Sequence, residues 1–252
     1  MPKRVNYAFL MERAMYDEAV MAMCRVSAYS GSKGYQLLKT QYMRTDAARN
    51  TIAHWFFDHA TEPDDTLVML DVDHRHPREV VERLVARDVP VVAPLMFRRG
   101  DDYRPCAFAL KGEGDDLSHM MTYPPGLWQV DGVGTGAIAI QRRVFEQIDP
   151  YAEAGWWFRY EYIPGVGQPS EDMYFGKLCR QAGVPQYVDT TFETPHLALI
   201  DIDHETFEAY LADHPEETQH PLQLAHVVNL DLRRPNGRTD HAENHYAPQP
   251  EI

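Results

Sequence analysis

Cysteine is scarce: the 252-residue chain holds three, Cys24, Cys106 and Cys179, with no C-x-x-C pair among them. That count excludes a disulfide framework and gives a zinc site or a thiol nucleophile little support, so the three read as reduced core filler. Long apolar runs are missing too. Nothing approaches the roughly 20 residues that cross a bilayer, and no apolar region follows the basic start Met1-Pro2-Lys3-Arg4, so no signal peptide and a cytoplasmic location are expected. Positive charge is in deficit, 24 Lys and Arg against 38 Asp and Glu, for a net charge of -14. Such a balance opposes a sequence-independent grip on nucleic acid or anionic lipid and leaves room only for a local basic patch. The glycines at 132, 134 and 136 miss the G-x-G-x-x-G spacing and no helix follows them directly, so they are not a dinucleotide fingerprint. No internal repeat is present.

What is there is ordinary globular material, 44% hydrophobic and 25% charged. Apolar runs at residues 5–10, 35–40, 66–71 and 89–95 alternate with helical spacings at 16–28, 46–59 and 77–85. That order predicts a parallel sheet with helices on its faces. Residues 97–122 turn polar and irregular, and an edge strand over 105–110 is expected to pair with 127–130. An apolar strand at 137–140, a short helix at 142–148, a helix started by Ser170 and stopped by Gly183, and a strand at 184–188 complete the body. A Gly/Pro-rich stretch from Trp156 to Gly167 reads as a loop over a site. The fold class expected is α/β in a single domain over residues 1–213, with an extended Pro-, His- and Asn-rich tail over 214–252 that could serve homo-oligomer contacts.

The chemistry gathers at Thr66-Leu67-Val68-Met69-Leu70-Asp71-Val72-Asp73-His74. An apolar strand runs into two carboxylates one residue apart, which project to the same side. Like charges that close call for a cation, and carboxylate oxygens suit Mg²⁺ or Mn²⁺. In open α/β sheets ligands sit beyond the carboxyl ends of strands, where these two would lie. The chain repeats the pattern at Asp201-Ile202-Asp203, where capping of a helix near Thr206 is the reading.

Five further stretches follow in a fixed order: Asp46-Ala47-Ala48-Arg49-Asn50 before the strand, then Val130-Asp131-Gly132-Val133-Gly134-Thr135-Gly136, Ser170-Glu171-Asp172-Met173-Tyr174-Phe175, Val188-Asp189-Thr190-Thr191 and Pro195-His196. Together these motifs resemble glycosyltransferases of the GT-A fold, close to the family 2 type of bacteria and their phages, over residues 5–197. The resemblance implies a Rossmann-like domain with a mostly parallel central sheet, helices on both faces and a small antiparallel extension. It also implies a metal held by Asp71, Asp73 and His196, Mn²⁺ before Mg²⁺ because of the imidazole. Asp172 is implied as the base with Glu171 orienting a hydroxyl, the reverse assignment using the same pair. At the first turn of a helix both acids would be kept ionised and only weakly basic. Arg49, Asn50, Arg44, Asp71, Asp131, Gly134 and Gly136 are the implied donor-binding residues, and Trp156, Trp157 and Tyr160 could stack on a sugar.

The expected activity is transfer of a sugar from a nucleoside diphosphate donor, a UDP-sugar first with the base left open, to a hydroxyl of a glycan, lipid-linked or other acceptor, with inversion if displacement is direct and retention as the open alternative. Nucleic acid is the disfavoured acceptor. The alternatives are a nucleotidyltransferase of small sugars, which Met11-Glu12-Arg13 serves poorly as a phosphate loop, and a catalytically silent glycan- or partner-binding protein on the same scaffold.

Overall fold

The computed structural model describes residues 3–11, 15–38, 42–99, 102–111, 117–161, 169–198, 201–219 and 229–230. The Gly112-Glu113-Gly114-Asp115-Asp116 run, residues 162–167 of the loop expected from Trp156 to Gly167, and most of the tail beyond residue 219 lie outside them.

The first half alternates strand and helix: β1 (Val5–Leu10), α1 (Asp17–Ser32), β2 (Gln36–Leu38), α2 (Thr45–His59), β3 (Thr66–Asp71), α3 (Val80–Val85) and β4 (Val91–Leu95). Then come β5 (Ala107–Leu110), β6 (Leu117–His119), β7 (Leu127–Val130), β8 (Gly132–Val133), β9 (Ala137–Gln141) and α4 (Arg142–Ile148). The last elements are α5 (Glu171–Gln181), β10 (Gln186–Glu193), β11 (His196–Leu197), β12 (Asp201–Ile202), α6 (His204–Asp213) and β13 (Asn229–Leu230). α5 stops where Gly183 takes a φ of 68°, a left-handed conformation that glycine adopts without steric cost.

The central sheet is mixed, in the order β13-β7-β10-β4-β9-β3-β1-β2. β7 and β9 run against the other strands. The sheet is mostly parallel, as expected, with antiparallel β9 standing between β3 and β4. β9 is buried along its whole length, so its AIAIQ sequence belongs in the middle of a sheet. Its ladder with β4 stops at Val92, two residues before Pro94, which has no N–H to give. α1 packs on α3, and α2 on α4, which in turn packs on α5. The expected pairing of the 105–110 strand with 127–130 is corrected. β5 pairs with β6 and β8 in a separate small antiparallel sheet, while β7 is drawn into the main sheet beside β10. No helix among the described residues is long and apolar enough to cross a membrane.

Two features place the site. Leu67, Val68, Met69 and Leu70 are wholly buried, which fixes the exit of β3, and Val72 is buried too, so Asp71 and Asp73 face away from the core. The segment after β10 is then stitched onto that exit: Arg75 donates to the Pro195 carbonyl at 2.9 Å and Leu197 to that of Asp73 at 2.8 Å. β11 pairs with β12, and α6 follows, capped by Asp203, whose side chain accepts from the Thr206 amide as the sequence anticipates. Phe207 of α6 is buried against Leu95, Phe97 and Ile202, a small second core that backs His196. Phe207→Ala should cost about 3 kcal/mol, and hydrogen exchange should show lost amide protection in α6 with β3 still protected. Loss of protection in both would mean α6 is integral to the main core.

Candidate active site

β3, its following loop, α2, α5 and the segment after β10 converge on one cavity of about 760 Å³. At its base lies Arg49, only 1% exposed. Its Nη2 donates to both oxygens of Asp71 at 2.9 Å, and its Nε donates to Glu171 Oε1 at 3.1 Å. A buried guanidinium is tolerable only with such partners. One arginine thus ties α2, β3 and α5 together, and its remaining Nη1 is buried without a partner. Burial and the charges of Asp73 and Glu171 raise the Asp71 pKa, against the opposing pull of Arg49.

Asp73 has different company. Its Oδ2 lies 3.0 Å from His196 Nε2 and 2.8 Å from Arg99 Nη2, and its Oδ1 lies 3.8 Å from His74 Nε2. Burial alone would raise Asp73; the His196 hydrogen bond, His74 and Arg99 overcome it and hold the carboxyl well below its usual range. The rings of His74 and His196 stack at 4.2 Å. His74 donates through Nδ1–H to the Thr194 carbonyl at 3.0 Å, and His196 through Nδ1–H to that of Phe97 at 3.2 Å. Both rings are therefore oriented with Nε2 toward Asp73. Burial pushes the His74 pKa down to about 3, so that ring is neutral and keeps its lone pair.

One carboxylate oxygen and two imidazole nitrogens, one from each of Asp73, His74 and His196, lie within 4.8 Å of one another. Imidazoles that donate their other N–H to backbone carbonyls are the usual outer arrangement of a metal site, and a carboxylate with two imidazoles suits Mn²⁺ or a similar divalent ion. Gly136 completes the fit, because a Cβ there would stand 2.4 Å from His74 Nε2. The donor set fits a divalent cation.

Asp172 opens onto the same cavity. It accepts from the Ser170 hydroxyl and from the Met173 amide at 2.8 Å. Burial, then the charge of Glu171, pushes its pKa from 3.8 up to about 6. The expected dominance of the helix dipole is corrected here: a dipole is worth about 0.3–1 kcal/mol, whereas a rise of about two units corresponds to roughly 3 kcal/mol.

Of the sequence candidates, Arg44, Arg49, Asp71, Asp73, Gly134, Gly136, Glu171, Asp172 and His196 line the cavity. Arg44 is ion-paired with Asp46 at 2.6 Å. Asn50 and Asp131 do not line it. Asn50 is buried and spends its amide on backbone, donating to the Asp46 and Phe158 carbonyls and accepting from the Trp157 and Phe158 amides. Asp131 accepts from the Leu110 amide at 2.8 Å and so fastens β5. Tyr160 lines the cavity, Trp157 is buried in the core, and Trp156 is exposed and does not line the cavity. Sequence reasoning gave no role to His74, Arg98 or Arg99, which line the cavity. His74 stands directly after Asp73 in the opening motif, a signal that could have been read.

No family model matches the chain, and no curated protein is similar to it in sequence. Among solved structures it is similar to a mutant of Drosophila beta-1,4-galactosyltransferase 7 in complex with manganese, UDP-Gal and xylobiose, at a TM-score of 0.39 and 13% identity. The match covers 75% of this chain and 66% of that one, so the chain spans just under two thirds of the galactosyltransferase's length. It is also similar to 4-diphosphocytidyl-2C-methyl-D-erythritol synthase, at a TM-score of 0.33 and 11% identity over 83% of this chain and 98% of that one. Scores this low leave the argument with the chain's own residues.

Two outcomes follow from the geometry. Gly136→Ala should displace His74 and weaken Mn²⁺ binding about tenfold or more, measured by electron paramagnetic resonance; unchanged affinity would remove His74 from the site. Asp172 titrates higher folded than unfolded, so its cost to stability grows as pH rises from about 4 through about 6. Asp172→Asn should therefore raise the melting temperature near pH 8 and leave it unchanged near pH 4; a variant destabilised near pH 8 would contradict this.

Proposed function

We propose that this chain is a metal-dependent glycosyltransferase of the GT-A type, moving a sugar from a nucleoside diphosphate donor, a UDP-sugar first, to an acceptor hydroxyl with inversion. The observation that carries the reading is that the Asp73–His74–His196 cluster and the raised carboxylate Asp172 open onto one cavity. A divalent cation, Mn²⁺ before Mg²⁺, would supply Lewis-acid stabilisation to the departing diphosphate.

The rest of the work falls to side chains. Asp172 accepts the proton of the acceptor hydroxyl as its oxygen bonds to the anomeric carbon, and the bond from that carbon to the diphosphate breaks with its electron pair leaving on the nucleoside diphosphate. A base titrating at about 6 is mostly ionised at neutral pH yet more basic than an ordinary aspartate. Glu171 is held by Arg49 and keeps Asp172's neighbourhood negative. The unpartnered Nη1 of Arg49 offers a buried donor to a phosphate or sugar oxygen. Asp71, gripped by Arg49, serves position more than metal ligation in this reading. A glycan or lipid-linked hydroxyl is the proposed acceptor class.

Nucleotidyl transfer would release pyrophosphate from a nucleoside triphosphate, so the leaving group discriminates. The chain incubated with Mn²⁺ and a panel of nucleotide-sugars should release a nucleoside diphosphate. Asp172→Asn should keep donor affinity while kcat falls by roughly 10²–10⁴-fold, and wild-type kcat/KM should fall as pH drops through about 6. Equal turnover in that variant, or pyrophosphate as the product, would refute the assignment.

A further inference from the structure

Arg99 stands out in the cavity because it occupies the very carboxylate a metal would need. Its Nη2 is 2.8 Å from Asp73 Oδ2, the oxygen that also faces His196 Nε2 at 3.0 Å. Its side chain is 46% exposed, against 1% for Arg49, so its head group can move without stripping buried contacts. Its root is fixed close to the cluster: the Phe97 carbonyl accepts from His196, and the Arg98 amide donates to the Arg104 carbonyl at 3.0 Å. A divalent cation and a guanidinium on one oxygen repel each other. A diphosphate in the same cavity gives the displaced guanidinium a better partner, since arginine matches phosphate oxygens in a fork.

We propose that Arg99 is an exchange cation, paired with Asp73 while no divalent ion is bound and transferred to the donor's diphosphate when the ion takes that carboxylate. The inference rests on reading Asp73, His74 and His196 as the metal site. Its consequence is coupling: Mn²⁺ alone must displace Arg99 with nothing to receive it, whereas Mn²⁺ with a diphosphate does not. By linkage, each ligand then tightens the other by the same factor.

The test is Mn²⁺ affinity, read by electron paramagnetic resonance without turnover, for wild type, Arg99→Gln and Asp73→Asn, each with and without UDP. Wild type should bind Mn²⁺ weakly alone and about tenfold or more tightly with UDP. Arg99→Gln should bind Mn²⁺ alone several-fold more tightly than wild type and lose most of the UDP enhancement. Unchanged or weaker Mn²⁺ binding in Arg99→Gln, or an enhancement equal to wild type, overturns the exchange while leaving the metal site intact. Asp73→Asn should lose Mn²⁺ binding; retained binding there, or no binding in wild type, overturns the site itself and the exchange with it.

Discussion

A single buried arginine holds the site in shape. Arg49 comes from α2, grips Asp71 at the end of β3 and reaches Glu171 at the start of α5. Charge buried this deeply is costly alone and steeply destabilising if one partner is lost. The clamp therefore fixes three elements at a common point. It also divides the labour of the two strand-end carboxylates: Asp71 neutralises the arginine, while Asp73, two residues on, is left to the histidines. Both acids line the one cavity, Asp71 paired with the buried guanidinium and Asp73 with His196 and Arg99.

Charge runs through the cavity in both signs. The protein is strongly acidic overall, with a net charge of -14, yet Arg44, Arg49, Arg98 and Arg99 all line this one cavity beside Asp71, Asp73, Glu171 and Asp172. An acidic chain that handles an anionic substrate needs such local concentration of cations. Burial raises both Asp73 and Asp172, and their neighbours then set the two apart. Asp73, close to His74, His196 and Arg99, stays ionised far down the pH scale, while Asp172, beside Glu171, is raised toward neutrality. Two carboxylates pushed in opposite directions by their surroundings suit a ligand and a base.

Much of this was legible from residues. The apolar run 67–70 announced β3, the helix at 142–148 sits where its periodicity put it, and Asp203 caps α6 as its position before Thr206 suggested. What escaped was long-range. The insertion of β9 between β3 and β4 and the partner of β5 depend on pairings that local pattern does not encode. His74 has a fixed orientation only because Thr194, 120 residues away, accepts its proton. Asn50 directly follows Arg49 but is spent on the backbone of Trp157 and Phe158, more than 100 residues further on. Local spacing singled out Asp71, Asp73, Glu171, Asp172 and His196, and tertiary contacts set their partners.

The central claim is that Asp73, His74 and His196 hold a divalent ion. Anomalous diffraction at the manganese absorption edge, from crystals grown with Mn²⁺ and UDP, tests it most directly. One anomalous peak is expected, ligated by the Asp73 carboxylate and the Nε2 atoms of His74 and His196, with Asp71 still paired to Arg49. A peak held by Asp71 or by Asp201, or no peak with the nucleotide in place, would contradict it.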